Sequence, residues 1–266
     1  SHHLLAYTMM ILRDMNRLKD CRKRINICPI GSCALAGTTY NTNRRFEAEK
    51  LGFDEIILNS MDGVADRDFA LEFMSALSIL MMHLSRLSEE LILWSSWEFR
   101  FIELDDSFTT GSSIMPQKYN PDVCELIRSK AAQVVGLSTT ACGIMVGMPG
   151  GYNRDLQDTK KILMEAFDTT RATVRIMSCL IGGLKAHPDK LRAAFRDPGV
   201  FATDRALELV AGGMAFRDAY HEVREHLEDL SGMDPDETIA KKTHLGAPFG
   251  IDFAMYESAI RRNRSD

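Results

Sequence analysis

The sequence lacks the features that identify several common classes of protein. It has no run of five or more basic residues, and the formal net charge of its 266 residues is −5. Nucleic-acid binding is therefore disfavoured, because it needs a clustered positive surface. The longest uncharged, mainly apolar stretch covers residues 73–82, whereas a membrane span needs ~20 residues.

The six cysteines form neither a Cys-x-x-Cys pair nor a Cys/His zinc spacing. Scattered cysteines in a chain of this size are typical of free thiols in a reducing compartment, and no secretory signal peptide is visible. We therefore expect a cytoplasmic protein with no metal, membrane or nucleic-acid partner.

Alternating strand patterns longer than a few residues are also missing, and long amphipathic patterns take their place. Apolar residues recur at intervals of three and four within residues 4–25, 69–94, 123–144 and 163–184. Such long helices without frequent caps are typical of a helical bundle. The sequence predicts an all-α fold, with a long-helix bundle over residues 1–187. The shorter patterns that follow predict a small helical C-terminal domain over residues 188–266.

An irregular segment at residues 28–43 is rich in Gly, Thr and Asn, and a second covers residues 107–122. In the second, Asn120 is a predicted N-cap, so a helix should begin at about Pro121. A stretch that ends at a helix N-terminus can bind an anion, with hydroxyls from its serines and a charge from Lys118. The same composition also suits an ordinary surface turn.

The motif GSSIMPQKYNPD at residues 111–122 resembles the signature loop of the fumarase/aspartase superfamily, and its Pro-Gln-Lys form is similar to that of argininosuccinate lyases. Segments 30–40, 59–69, 151–160, 201–210 and 216–223 carry the same resemblance. The resemblance implies β-elimination of a small molecule, argininosuccinate, to fumarate and arginine in arginine biosynthesis. It also implies a homotetramer and no metal or organic cofactor.

The resemblance implies three catalytic residues. Ser112 is the implied base, which removes a proton from the carbon next to a carboxylate, and Ser113 is the neighbour that shapes the loop. Lys118 would stabilise the charge that develops on that carboxylate. Glu125 matches the carboxylate that pairs with the family's catalytic histidine, although an acid at this position also complements the helix dipole.

The implied substrate contacts are Arg67, Ser113, Asn120, Tyr152, Gln157 and Lys160. The Arg67 guanidinium suits a carboxylate, and Asn120 matches a contact to the substrate carboxylate. The last three resemble residues that hold the arginine-like end of the substrate. Simpler interpretations stay open: an ion pair of Arg67 with a neighbouring aspartate, an N-cap at Asn120, and a solvated helix face for Gln157 and Lys160.

Two departures from the family pattern stand out. Tyr119 occupies a position where the family most often has lysine, which removes a positive charge beside the substrate. The upstream Thr-x-x-His pattern, whose histidine pairs with Glu125, is not in this sequence. His83 does not replace it, because it falls among leucines on a long helix and is predicted to be packed or half-exposed. We therefore expect a fragment that lacks the N-terminal domain and is inactive in isolation.

Three alternatives stay open. Another superfamily lyase, of the adenylosuccinate lyase, aspartase or fumarase type, is disfavoured by Gln117, Tyr152 and Gln157, because a fumarase or aspartase has no guanidinium tail to bind. A crystallin-like structural protein and a regulatory helical module are the non-enzymatic alternatives. In each case we expect exposed apolar faces to make the chain alone aggregate or mis-assemble.

Overall fold

The computed structural model describes residues 1–111, 113–115 and 118–265. The first helices are α1 (His2–Ile25), α2 (Arg44–Leu51), α3 (Ser60–Ala65), α4 (Asp68–Ser95), α5 (Asp122–Met145) and α6 (Asp158–Gly182). The later ones are α7 (Pro188–Ala193), α8 (Ala202–Ala211), α9 (Phe216–Glu225), α10 (Pro235–Ala240) and α11 (Phe253–Ser265). The prediction of four long helices is confirmed, because α1, α4, α5 and α6 cover the four periodic segments.

Extended structure in the described part of the chain is limited to two-residue strands. Strand β1 (Ile27–Cys28) pairs in parallel with β2 (Glu55–Ile56). Strands β3 (Ile102–Glu103) and β6 (Lys185–Ala186) are antiparallel, as are β4 (Thr110–Gly111) and β5 (Tyr119–Asn120). The all-α prediction is therefore confirmed.

The long helices run in alternating directions. The His3 Nε2 atom, at the start of α1, lies 3.0 Å from Glu90 Oε1 near the end of α4. Arg128, early in α5, pairs with Glu89 of α4. Helix α6 is parallel to α4, and the Phe73 and Phe167 rings lie 6.0 Å apart. The bundle therefore has a loop end, where α4 ends and α5 begins, and a far end, where α4 and α6 begin and α5 ends.

Helix α4 is the centre of the bundle. By length and composition alone it could cross a membrane, but such a helix is weak evidence for a span, and 44% of the relevant window is buried within the fold. Met74, Met81 and Leu91 are completely buried, as is Val134 of α5. Burying a side chain of this size contributes about 1.5–3 kcal/mol relative to leaving it exposed. The apolar stripe predicted from the sequence is thus the stripe that forms the core.

A second cluster of buried side chains lies after the bundle. It comprises Phe201, Ala206, Ala219, Val223 and Leu230, which come from α8, α9 and the turns around them. Its members are distinct from those of the bundle core. The division into a bundle domain and a C-terminal domain near residue 187 stays a prediction.

A hydrogen bond between two titratable side chains is buried between α1 and α4. The Asp14 side chain is 1% exposed, and its Oδ2 atom lies 2.6 Å from Nδ1 of His83, whose side chain is 9% exposed. Arg17 Nη1 donates to Asp14 Oδ1 over 2.9 Å. The prediction that His83 is packed is confirmed, whereas its carboxylate partner was not predicted.

The burial of the cysteines predicts how they react with a thiol reagent. Cys33, Cys142 and Cys179 are exposed, whereas Cys21, Cys28 and Cys124 are buried. Burial raises the pKa of the Cys124 thiol to about 11, which keeps it protonated near neutral pH. We expect three thiols to react rapidly with Ellman's reagent in the folded chain and all six after unfolding in urea. Rapid modification of Cys124 without unfolding, detected by peptide mass mapping, would contradict this packing.

Candidate functional site

A cleft of about 830 Å³ lies at the loop end of the bundle. Its walls come from the end of α4, the segment that follows it, the signature loop and the first turn of α5. The lining includes Trp97, Arg100, Lys118, Tyr119, Glu125 and His187. The structure therefore brings two of the three predicted catalytic residues, Lys118 and Glu125, to one cavity. Ser112, the third, and Gln117 lie outside the described residues.

The signature loop is closed as a hairpin at its base. Strands β4 and β5 pair Thr110 with Asn120, and the Thr110 hydroxyl donates to the Asp122 carboxylate in the first turn of α5. Within the loop, the Lys118 N–H donates to the Met115 carbonyl over 3.0 Å. Ser113 in the same loop is exposed. The loop is thus attached to α5 through backbone pairing as well as through the chain itself.

The predicted N-cap at Asn120 is wrong. Helix α5 begins at Asp122, its N-cap is Pro121, and no side chain caps it. Asn120 is placed in β5, because pairing with Thr110 gives its backbone an extended conformation one residue before the cap. The simpler interpretation of Asn120 therefore fails, while the predicted substrate contact stays a prediction. Glu125 does lie in the acidic first turn, as predicted.

Lys118 has no carboxylate partner among the residues that the structure describes, and its side chain lines the cleft. Glu125 is likewise exposed on the cleft wall. An unpaired ammonium beside a cavity can stabilise a bound carboxylate, and a nearby carboxylate can orient a histidine or accept a proton. Both groups are among those that the family resemblance implies for elimination next to a carboxylate.

The remaining predicted contacts lie at the far end. Arg67 is the N-cap residue of α4, and its Nη1 atom donates to the Val64 and Asp66 carbonyls. The ion pair considered for Arg67 is thus replaced by bonds to backbone carbonyls. Tyr152 is exposed, and Lys160 Nζ donates to Gln157 Oε1 over 3.0 Å across one turn at the start of α6.

Three of the segments that carry the family resemblance converge at this far end. Gly151 has φ of 87°, and a Cβ there would lie 2.6 Å from Leu35 Cδ1. A Cβ on Gly63 would lie 2.5 Å from Ser32 Oγ. Gly151 is favoured by its positive φ, and a Cβ on Gly63 would also lie 2.6 Å from Ile57 Cγ2, so that a neighbouring side chain would have to shift. Segments 30–40, 59–69 and 151–160 therefore form one surface.

The predicted site residues consequently fall into two groups. Helix α4 has 28 residues, so about 42 Å separates the loop end from the far end. Lys118 and Glu125 belong to one end, and Arg67 and Tyr152 to the other. One copy of the chain does not bring them to a single cavity.

The cleft also contains residues that sequence reasoning did not select. Arg100 has φ of 49°, and its guanidinium carbon lies 3.1 Å from the centroid of the Trp97 ring. His187 Nε2 lies 3.5 Å from Glu103 Oε2, and Lys185 Nζ lies 3.5 Å from Glu103 Oε1. No sequence pattern marked these positions. Glu103, Lys185 and His187 meet only when β6 pairs with β3, whereas Arg100 contacts Trp97 within the turn that follows α4. Among the described residues, no three His, Cys, Asp or Glu side chains are grouped for a metal ion.

A comparison with known proteins shows that the chain is similar to lyases. A protein-family model described as Lyase matches residues 1–136. Argininosuccinate lyase from Ruthia magnifica subsp. Calyptogena magnifica is 51% identical over 246 residues, covering 90% of this chain and 51% of that protein. Argininosuccinate lyase from Thermoanaerobacter sp. strain X514 is 51% identical over 278 residues, covering 94% of this chain and 63% of that protein.

The fold has a counterpart among solved structures. The crystal structure of EDDS lyase in complex with formate has a TM-score of 0.87 at 24% identity, and the match covers 99% of this chain and 61% of that chain. At this identity the likeness concerns the fold alone. The chain spans between half and two thirds of the length of these relatives, at 51% to 63%.

Proposed function

Because the chain belongs to the lyase family whose model matches residues 1–136, we propose that it is part of an argininosuccinate lyase. The enzyme would eliminate fumarate from argininosuccinate and release arginine. The observation that carries this proposal is the 51% identity to an argininosuccinate lyase over 90% of the chain. The same identity favours this substrate over those of a fumarase, an aspartase or an adenylosuccinate lyase, and an enzyme over a crystallin-like or regulatory protein.

The loop end would carry out the chemical step. Ser112 would remove the proton next to the substrate carboxylate, and the electron pair left on carbon would delocalise into that carboxylate. The Lys118 ammonium lines the cleft without a carboxylate partner in the described structure, so it is available to stabilise this charge. The electron pair would then form the double bond of fumarate as the bond from carbon to nitrogen breaks.

The far end would hold the other part of the substrate. Tyr152, Gln157 and Lys160 would bind the arginine-like end there, and Arg67 a carboxylate group, whereas Ser113 and Asn120 would contact the substrate from the signature loop at the loop end. Since about 42 Å separates the two ends of α4, a complete site would need ends from different copies. A cytoplasmic homotetramer is the assembly we propose, with Glu125 orienting a histidine from a region outside these residues.

The test of this function measures fumarate by its ultraviolet absorbance. We expect no fumarate from the isolated 266-residue chain, since the Thr-x-x-His pattern, whose histidine the resemblance pairs with Glu125, is not in this sequence. Mixing with a separately expressed N-terminal segment of a relative should produce fumarate from argininosuccinate. Adenylosuccinate and aspartate serve as parallel substrates. Turnover of either one in place of argininosuccinate, or a folded assembly that stays inactive in the mixture, would refute the proposal.

A further inference from the structure

The irregular segment at residues 28–43 is closed by a side chain from the first turn of α2. Arg44 Nε donates to the Ile30 carbonyl over 2.8 Å, across 14 residues of the chain. The stem of the same side chain lies over Gly31, where a Cβ would be 2.8 Å from Arg44 Cγ and Cδ. Gly31 has φ of 89°, which glycine adopts readily. Arg44 therefore holds the start of this loop against α2.

The position of the Arg44 guanidinium is fixed by its surroundings. Helix α2 begins at Arg44, and its N-cap Asn43 accepts from the Phe46 N–H over 3.0 Å. Arg44 Nη2 is buried, and no hydrogen-bond partner for it is found among the described residues. Burial of an unpaired donor is unfavourable and opposes the gain from the bond made by Nε. The side chain therefore constrains the loop while adding little to the stability of the fold.

The loop that Arg44 closes has a partly left-handed backbone. The Ser32 N–H donates to the Pro29 carbonyl over 3.2 Å, and the Gly37 N–H donates to the Ser32 carbonyl over 3.1 Å. Between them Cys33 has φ of 55°, one of two positive values at non-glycine residues of the described chain. A residue other than glycine rarely adopts this conformation unless the surrounding structure maintains it. The loop therefore depends on contacts such as that of Arg44 for its shape.

The middle of this loop packs on the turn that carries Tyr152. Leu35 lies so close to this turn that a Cβ on Gly151 would be 2.6 Å from Leu35 Cδ1. On the other side of Tyr152, Asn153 Nδ2 donates to the Pro149 carbonyl over 2.9 Å. Because Tyr152 lies between these two contacts, a displacement of Leu35 would move the turn and the tyrosine with it.

We propose that Arg44 is a positioning residue for the substrate. By holding the loop, it keeps Leu35 on Gly151. This contact fixes the turn from which Tyr152 would bind the arginine-like end of the substrate, a role that rests on the proposed function. Loss of the anchor should weaken substrate binding and leave proton transfer at the loop end, about 42 Å away along α4, unchanged.

Arg44→Met tests the anchor, because it keeps an unbranched apolar stem over Gly31 and removes Nε. In the complemented assembly it should raise the Michaelis constant for argininosuccinate about tenfold and change kcat less than about twofold, as when binding is lost equally from ground and transition states. Leu35→Ala, which removes the contact with Gly151, should have the same effect. Arg45→Met is the matched control, since it makes the same change at the next residue, which is exposed.

Cys33 reports the loop conformation in the isolated chain, without any turnover. It is exposed, as are Cys142 on α5 and Cys179 on α6, which serve as internal references. Arg44→Met should raise the rate at which iodoacetamide modifies Cys33, because a released loop presents the thiol in more orientations. Peptide mass mapping should show unchanged rates at the two reference cysteines. The urea midpoint should stay near that of the parent, since the unpaired Nη2 is removed together with the bond.

An unchanged Michaelis constant in Arg44→Met would overturn the inference, as would an unchanged rate of Cys33 modification. The same increases in Arg45→Met would also overturn it, because charge rather than the anchor would then be the cause. Parent kinetics in Leu35→Ala would refute the route through Gly151. Failure of the proposed function would appear instead as absence of fumarate from the parent mixture, whereas the Cys33 rates test the anchor without any substrate.

Discussion

Replacement of His83 by leucine is expected to lower the free energy of unfolding by about 1–3 kcal/mol, the usual cost of leaving a buried hydrogen-bonding group without its partner. The Asp14 side chain, at 1% exposure, accepts from His83 Nδ1 over 2.6 Å. Without this donor the carboxylate keeps only Arg17, whose own side chain is 40% exposed. A buried carboxylate short of a partner is unfavourable, because solvation by water is lost without replacement.

The matched control replaces both groups. In Asp14→Leu/His83→Leu no buried charge is left without its partner, because Arg17, which loses Asp14, is 40% exposed to solvent. Two apolar side chains of similar size then pack between α1 and α4. Exchange of a buried pair for apolar groups is often neutral or stabilising, so the double variant should regain most of the lost stability. Urea unfolding followed by circular dichroism measures the parent, His83→Leu and the double variant. A single variant as stable as the parent would show that this hydrogen bond does not stabilise the packing of α1 on α4.

Replacement of Ser112 by alanine is expected to reduce the rate of fumarate release by about 10²–10⁴-fold, the usual contribution of a general base. The prediction rests on the implied role of Ser112, which lies outside the described residues. It is tested in the complemented assembly, where the parent chain is active. The Michaelis constant should change much less than kcat, since the hydroxyl acts on the proton in the transition state rather than on the bound substrate.

Ser113→Ala provides the matched control. It removes the same hydroxyl from the next residue of the same exposed loop, so a general effect on loop structure would reduce both rates alike. We expect less than a tenfold loss, because a residue that shapes the loop takes no proton. If Ser113→Ala were the more damaging change, the base would be Ser113 and the assignment from the family pattern would be wrong.

The sequence predicted the bounds of the long helices well and the conformation of the residues next to them poorly. Helix α4 begins at Asp68 and ends at Ser95, within one residue of the predicted apolar pattern at each end, because the stripe reflects burial of one face at 3.6 residues per turn. The N-cap at Asn120 failed for the opposite reason. Local preference favoured a cap, and pairing with Thr110, ten residues earlier, placed the residue in a strand.

The candidate site shows the same difference between what local patterns predict and what contacts between distant residues decide. A linear motif predicted Lys118 and Glu125, since both lie within one loop and the helix turn that follows it. The hydrogen bond between Asp14 and His83, 69 residues apart, depends on α1 packing against α4, and no local pattern encodes it. The position of Arg100 on the cleft lining was missed because it depends on a left-handed backbone that neighbouring hydrogen bonds maintain.

The sequence by itself determined that the chain is helical, where its long helices lie and which motif contains the candidate chemistry. These properties depend on contacts between residues close in the chain, where periodicity and residue type are informative. Only the tertiary structure decided that the predicted residues divide between two ends about 42 Å apart. It also brought Trp97 and Arg100 into the cleft of Lys118. Both outcomes follow from the direction in which each long helix packs on α4, and that direction depends on side chains far apart in sequence.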